Sequence, residues 1–373
     1  MIKLSKILLF LLVLIAFAAL SGCVQTPVDN SPISNSKAES GDVLVLAEGL
    51  QGYDNSSLTL IKSQSGEIIP DYFKSSNPDQ FLGDTANDMI LKGDTAIIAL
   101  STSSIIRLIR ISNGKLIKDI KLLDEFYPRS IALLNDSTIS VSLLFRSSVM
   151  IININNNSII TEIPVGPQPE GITYFEGMIY TANSAYGDFN YMHKDAATFS
   201  VINSNNYLEI SKINSGPNCS EILVNPKNRK LYAVFYNLPS KESEPGGIVE
   251  YDLTDYHEIR RWNIRARSVR LSTTMDSLFF ISQMHKGSSM SEQSGISCID
   301  LKSGNTELII TNPNKFDIWY NMSVSPFDGS IWVCNARNHI NNGEILVYQN
   351  HNYTDPKIKF NVLLNPNKVV FIR

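Results

Sequence analysis

Cys23 is the residue whose chemistry is most sharply specified by its neighbours. Lys3 and Lys6 precede an unbroken apolar run from Ile7 to Leu20, and Leu20-Ser21-Gly22-Cys23 ends that run with small residues directly before a thiol. The run is short for a spanning helix, and small residues at its end mark a cleavage site. We therefore expect cleavage before Cys23 and transfer of a diacylglyceryl group to its sulfur, which with further acylation holds a chain on a bilayer. Residues 1–22 read as a lipoprotein signal peptide and 23–41, rich in Ser, Asn and Pro, as a lipidated flexible tether.

A second set of residues carries binding chemistry. Tyr186, Phe189, Tyr191, Met192 and His193 crowd the stretch Ser184 to Ala197 and offer flat, polarizable surface with hydrogen-bonding tips, suited to a planar organic ligand or a glycan. Tyr53, Tyr127, Phe145, Tyr236 and Tyr320 fall at equivalent places elsewhere. The other reading of these rings is packing. His193, His285 and His339 stand in three different expanded loops, where convergence would make a metal site or an axial ligand, and separate solvation would make neither. A mixed ring of Asp88, Arg129, Glu170, Glu221, Arg267, Asn321 and Lys368 either fixes a polar ligand or pairs internally. The proposed ligand-binding set is Tyr186, Phe189, Tyr191, His193, Glu170, Arg129, Tyr320, His285 and His339.

Catalytic motifs are missing: no Gly-x-Ser-x-Gly elbow, no His-Glu-x-x-His and no Gly-rich phosphate loop in a strand-to-helix context. No catalytic residue, cofactor or metal is assigned. Net charge is −4 with both signs interspersed, so no basic stripe points to nucleic acid. Besides Cys23 there are Cys219, Cys298 and Cys334, too few for a disulfide scaffold and at no zinc spacing. Cys298 and Cys334 are either close enough to pair or buried as free thiols.

These residues need a scaffold, and a repeat supplies it. A Gly- or Pro-rich approach leads into a short apolar strand at Met89, Ile131, Ile172, Ile222, Val269, Met322 and Val369, about 41 to 53 residues apart. Each of the first six precedes a turn and a second strand, as in Thr95 to Leu100, Thr138 to Val141, Met178 to Thr181, Lys230 to Val234, Ser277 to Ile281 and Ser330 to Val333. Third and fourth strands follow, clearest in Ile105 to Ile111, Asn113-Gly114 and Lys115 to Ile120. Such sheets are apolar on both faces and need neighbours on both. The expected fold is all-β: a seven-bladed β-propeller over residues 42–373. Its first unit, from Val43, lacks an opening strand, and Asn365 to Arg373 is an opening strand with no blade after it. The C-terminal strand should therefore join the N-terminal blade and close the ring.

Val165-Gly-Pro-Gln-Pro-Glu-Gly-Ile172 followed by Ile179-Tyr-Thr-Ala-Asn183 resembles the YVTN-type propeller repeat, with Thr181-Ala182 in place of its central pair and Val333-Cys334-Asn335 as a partial copy. Ala47-Glu48-Gly49, Asn55 to Leu58, Gly66 to Ile68, Asp71 to Phe73, Asn77, Leu82 to Asp84 and Asn87 to Met89 resemble the opening of YncE-like propeller lipoproteins of the Bacteroidetes type. Ala47 departs from the asparagine usual there. That family includes surface cobalamin-binding propellers, so the resemblance implies ligand capture at the cell envelope, with a cobamide or other cofactor-sized molecule as ligand and an envelope transporter or surface protein as partner. The alternatives are an envelope interaction scaffold and a lactonase- or lyase-type propeller enzyme. In either binding role, function should gather on the face carrying the expanded loops Ser184 to Ala197, Asn237 to Gly247, Met284 to Gly295 and Ala336 to Gly343.

Overall fold

The computed structural model describes residues 41–184, 195–236, 246–282, 295–314 and 316–373. It is a seven-bladed β-propeller, with seven antiparallel sheets of four strands each. Blade 2 is the plainest copy, running outward from the channel as Ala86–Lys92, Thr95–Leu100, Ile105–Arg110 and Leu116–Lys121. The innermost strands of blades 3 to 7 are Pro128–Leu133, Pro169–Phe175, Cys219–Asn225, Ala266–Leu271 and Trp319–Val324.

Blade 1 is built from both ends of the ring. Its innermost strand is Pro366–Phe371, beside Val43–Ala47, Ser57–Ile61 and the short Ile68–Ile69. Val43 faces Phe371 and Val45 faces Val369 in antiparallel register. Backbone bonds from Gly41 N–H to the Ile372 carbonyl (2.8 Å) and from Glu48 N–H to the Asn365 carbonyl (2.8 Å) extend the seam past both strand ends. The expected closure by the last strand is what the fold contains.

Seven buried apolar clusters fill the seven spaces between blades, which explains why strands are apolar on both faces. In Thr95–Leu100, Ala96, Ile98 and Leu100 pack toward blade 1, while Ile97 and Ala99 pack toward blade 3. Period-two alternation is present, but both sides of it are dry. A one-turn helix, Tyr72–Ser76, lies between blades 1 and 2, an element the strand pattern does not foretell. The Asp71 side chain caps it, and Tyr72 donates its hydroxyl to the Ile111 carbonyl at 2.8 Å. Among the described residues no helix is long and apolar enough to cross a membrane.

The YVTN-like phrase has a local physical meaning. Asn183 ends its strand fully buried and donates its amide to the hydroxyls of Thr198 (2.9 Å) and Ser200 (3.0 Å) on the next strand. Gly166 lies against it so closely that a Cβ there would stand 2.4 Å from the Asn183 amide carbon. Asn335 repeats the role in blade 7, donating to Asp317 (2.8 Å) and Glu344 (2.9 Å).

Candidate functional site at the channel mouth

All seven innermost strands start at the same end of the channel, where the links between blades and, in blades 1, 2, 3 and 7, the loops joining second to third strands also lie. At that start each pairing is interrupted by a bulge, between Ala86 and Asp88, Pro128 and Ile131, Pro169 and Ile172, Cys219 and Glu221, Arg267 and Arg270, and Trp319 and Asn321. In blade 1 the innermost strand is bulged at the same step: Leu46 faces Lys368 and Ala47 faces Pro366, which leaves Asn367 as the extra residue. Bulges re-aim side chains, and here they separate two successive residues of every strand into two tiers.

The lower tier is Asp88, Ser130, Gly171, Glu221, Ser268, Asn321 and Lys368, and it fastens blades together. Asp88 accepts the Ile131 N–H of the next blade at 2.9 Å and pairs with Lys368 of the previous blade at 2.8 Å. Glu221 accepts N–H groups from Ser268 and Val269 of blade 6, the latter at 3.1 Å, and pairs with Arg270 at 3.3 Å. Ser268 in turn accepts the Met322 N–H of blade 7 at 2.9 Å. Gly171 has no side chain because the backbone of blade 5 occupies that space: a Cβ would meet the Ser220 carbonyl oxygen at 2.9 Å.

The upper tier is Asn87, Arg129, Glu170, Ser220, Arg267, Tyr320 and Asn367. Arg129 donates to the Asn87 amide oxygen and to Glu170 at 3.0 Å. Arg267 donates to the Tyr320 carbonyl at 2.8 Å, and its guanidinium lies 5.0 Å from the centre of the Tyr320 ring. The Tyr320 hydroxyl donates to Glu48 at 2.8 Å. His339 meets the same ring edge-on at 5.5 Å, and its Nδ1 lies 2.9 Å from the Asn365 side-chain oxygen.

Electrostatics shows that these groups share one space. Burial holds the Arg267 pKa below the ordinary arginine value and the like charge of Arg129 adds to that, while Tyr320, Glu221 and Glu170 oppose it. Blades 3 and 6 are not neighbours, so Arg129 and Arg267 sense each other across the channel. Tyr320 is pushed upward, first by burial and then by the charge of Glu48, with Arg129 and Arg267 opposing. A phenol so placed stays protonated and serves as a hydrogen-bond donor.

Four of the residues expected at a site, Arg129, Glu170, Tyr320 and His339, are therefore placed at this mouth. Tyr186, Phe189, Tyr191, His193 and His285 lie outside the described residues. The mixed ring read from the sequence combines two tiers: Arg129, Glu170 and Arg267 belong to the upper, and Asp88, Glu221, Asn321 and Lys368 to the lower. Glu48, Asn87 and Arg270 were missed. Aligning the seven strand starts would have exposed Asn87 and Arg270, whereas Glu48 comes from a loop of blade 1 whose one signal was its place in the Ala47-Glu48-Gly49 resemblance. Cys219, Cys298 and Cys334 are free thiols. Cys298 packs between blades 6 and 7 and Cys334 between blades 7 and 1, with the blade 7 sheet separating them. Among the described residues no group of three His, Cys, Asp or Glu side chains could hold a metal ion.

No protein-family model matches the chain, and no curated protein does. Solved structures match its fold. It is similar to a quinoprotein alcohol dehydrogenase-like protein of Bacteroides thetaiotaomicron (TM-score 0.66, 12% identity, 89% of this chain and 78% of that one). It is also similar to a 6-phosphogluconolactonase candidate of Bacteroides fragilis (TM-score 0.63, 13% identity, 92% and 100%) and to the WD40 domain of Neurospora crassa Pan2 (TM-score 0.54, 13% identity, 77% and 81%). At such identities the likeness is one of fold.

Proposed function

We propose that this chain is a lipid-anchored cell-envelope propeller that captures a ligand at the upper mouth of its channel and does not turn it over. The observation that carries this reading is the Arg267–Tyr320–Glu48 group, a charged and aromatic cluster recessed in a channel that Arg129 enters from the opposite side. Capture sites combine flat apolar surface with a few convergent polar groups, and we expect the aromatic stretch carrying Tyr186, Phe189, Tyr191 and His193 to supply the former. Export and anchoring rest on Lys3, Lys6, the apolar run and Cys23. The YncE-like resemblance favours a corrinoid or other cofactor-sized molecule as ligand, and the aromatic residues of Ser184 to Ala197 add a glycan as the second class.

The test is thermal unfolding of the full-length, detergent-solubilised chain with a corrinoid and oligosaccharide panel. A ligand that binds only the folded state at a hundredfold excess over Kd adds about 2.7 kcal/mol, a rise of a few degrees. No shift at saturation with any member of the panel counts against ligand capture. Membrane attachment is tested by Cys23→Ser, which should move the chain out of the membrane fraction.

A second reading, docking of another envelope protein, is favoured by one observation. Among the described residues, large exposed apolar side chains away from the outermost strands are Tyr53, Phe81, Leu123, Phe145, Phe316, Ile340 and Phe327. Six of these seven sit in links and loops of the upper face, Phe327 being the exception. A partner recovered with the wild-type chain and lost on changing Phe316 and Ile340 to Ser would support docking, and unchanged recovery would remove it.

A further inference from the structure

The charges at the mouth pair off unevenly. Glu170 is matched by Arg129, Asp88 by Lys368 and Glu221 by Arg270. Arg267 is left over: among the described residues no carboxylate lies within 4.0 Å of it, and its single hydrogen bond runs from Nη2 to the Tyr320 carbonyl. Its guanidinium lies over the Tyr320 ring, 5.0 Å from the ring centre, and the Nε and Nη1 donors have no hydrogen-bond partner among the described residues. A recessed guanidinium with no carboxylate partner and donors left over is suited to the oxygens of a carboxylate or phosphate. Glu48 is also without a basic partner among the described residues, where the Tyr320 hydroxyl is its one side-chain hydrogen bond.

We infer that the ligand carries an oxyanion, a carboxylate or phosphate group that docks on the remaining donors of Arg267, with hydroxyl or ammonium donors turned toward Glu48. This rests on the ligand-capture reading and narrows it to a chemical class. Arg129 stays with Asn87 and Glu170 and contributes its field from across the channel.

The test measures calorimetric binding of inorganic phosphate, glycerate and neutral glycerol to the full-length chain and to Arg267→Met, Glu48→Gln and Arg110→Met. Arg110 is an outer-strand arginine, 3.6 Å from Asp94, and serves as the control. Phosphate and glycerate should compete for one site, and Arg267→Met should weaken both by about tenfold or more, as loss of a charge-assisted bond implies. Glu48→Gln should weaken glycerate more than phosphate, and Arg110→Met should change neither. Unaltered anion affinity in Arg267→Met, or glycerol bound as tightly as glycerate, overturns the inference. If corrinoid or neutral oligosaccharide binds while both anions do not, ligand capture stands and the anion class is wrong; if nothing binds, both fall. Should Arg267→Met not fold, phenylglyoxal labelling of the wild-type chain replaces it. Phosphate must then protect Arg267 and spare Arg110 from protection, and equal labelling of Arg267 with and without phosphate overturns the inference.

Discussion

Tyr320 and Glu48 stand 272 positions apart in the chain, yet the phenol donates to the carboxylate at 2.8 Å across the boundary between blades 7 and 1. This contact crosses the seam where the ring is closed. The same seam places Asn365 against His339 and, through its amide, against the Gly49 carbonyl at 2.8 Å. Closure and site are therefore one construction: the strand that completes blade 1 also brings its loop to the mouth.

Removing Lys368 to Arg373 should have a severe effect on stability. Val369, Val370 and Ile372 leave two inter-blade clusters, and Val43–Ala47 loses its inner partner. Each buried aliphatic side chain is worth about 1.5–3 kcal/mol, so the loss is comparable with a domain's whole stability of about 5–15 kcal/mol. Circular dichroism on heating should show a midpoint lowered by on the order of 10–20 °C, or no cooperative transition. An unchanged midpoint contradicts closure by this strand.

The two tiers should separate in mutation. Glu221→Ala strands the Ser268 and Val269 N–H groups and leaves Arg270 unpaired, a loss of about 3 kcal/mol. Arg267→Met removes a recessed charge with one carbonyl bond and should stay within about 1 kcal/mol of wild type. Denaturant midpoints for the two variants decide it, and equal losses would dissolve the distinction.

Gly171→Ala should destabilise although nothing polar is lost. The added methyl would meet backbone of blade 5, Ser220 oxygen at 2.9 Å and Glu221 Cα at 3.0 Å, which cannot swing away as a side-chain tip could. A penalty of about 1–3 kcal/mol is expected from overpacking, larger for Gly171→Val. Midpoints in urea equal to wild type for both variants would show that the blades are not in such close approach.

The buried thiols should be inert in the folded chain. Burial pushes the pKa of Cys219 and of Cys334 up to about 12, and both side chains are inaccessible. Thiolate is the reactive form, so Ellman's reagent at pH 8 should label neither until denaturant is added. Half-buried Cys298, also raised chiefly by burial, should react slowly. Rapid labelling of Cys219 or Cys334 without denaturant would contradict their place between blades.

The propeller was legible in the sequence because its repeat is written in residue types: Met89, Ile131, Ile172, Ile222, Val269, Met322 and Val369 occupy the same step of seven inner strands. The unpaired opening strand at Asn365 to Arg373 revealed closure for the same reason. The two tiers were hidden, since a bulge is a backbone event that leaves Arg129 and Asp88 looking equivalent. Glu48 was hidden because its partner is at the other end of the chain, and the helix Tyr72–Ser76 because one turn carries no periodicity. Tyr320 is among the expected residues, but its contacts with Arg267 and Glu48 come from two other blades and carry no sequence signal.

The claim on which the functional account turns is that the upper mouth is the working surface. Hydrogen exchange of the full-length chain, with and without corrinoid, oligosaccharide and glycerate, tests it most directly. Protection should concentrate in 48–56, 127–131, 266–271, 318–323 and 336–341. Protection confined to the turns of the opposite face, or none with any of the three ligands, would contradict it.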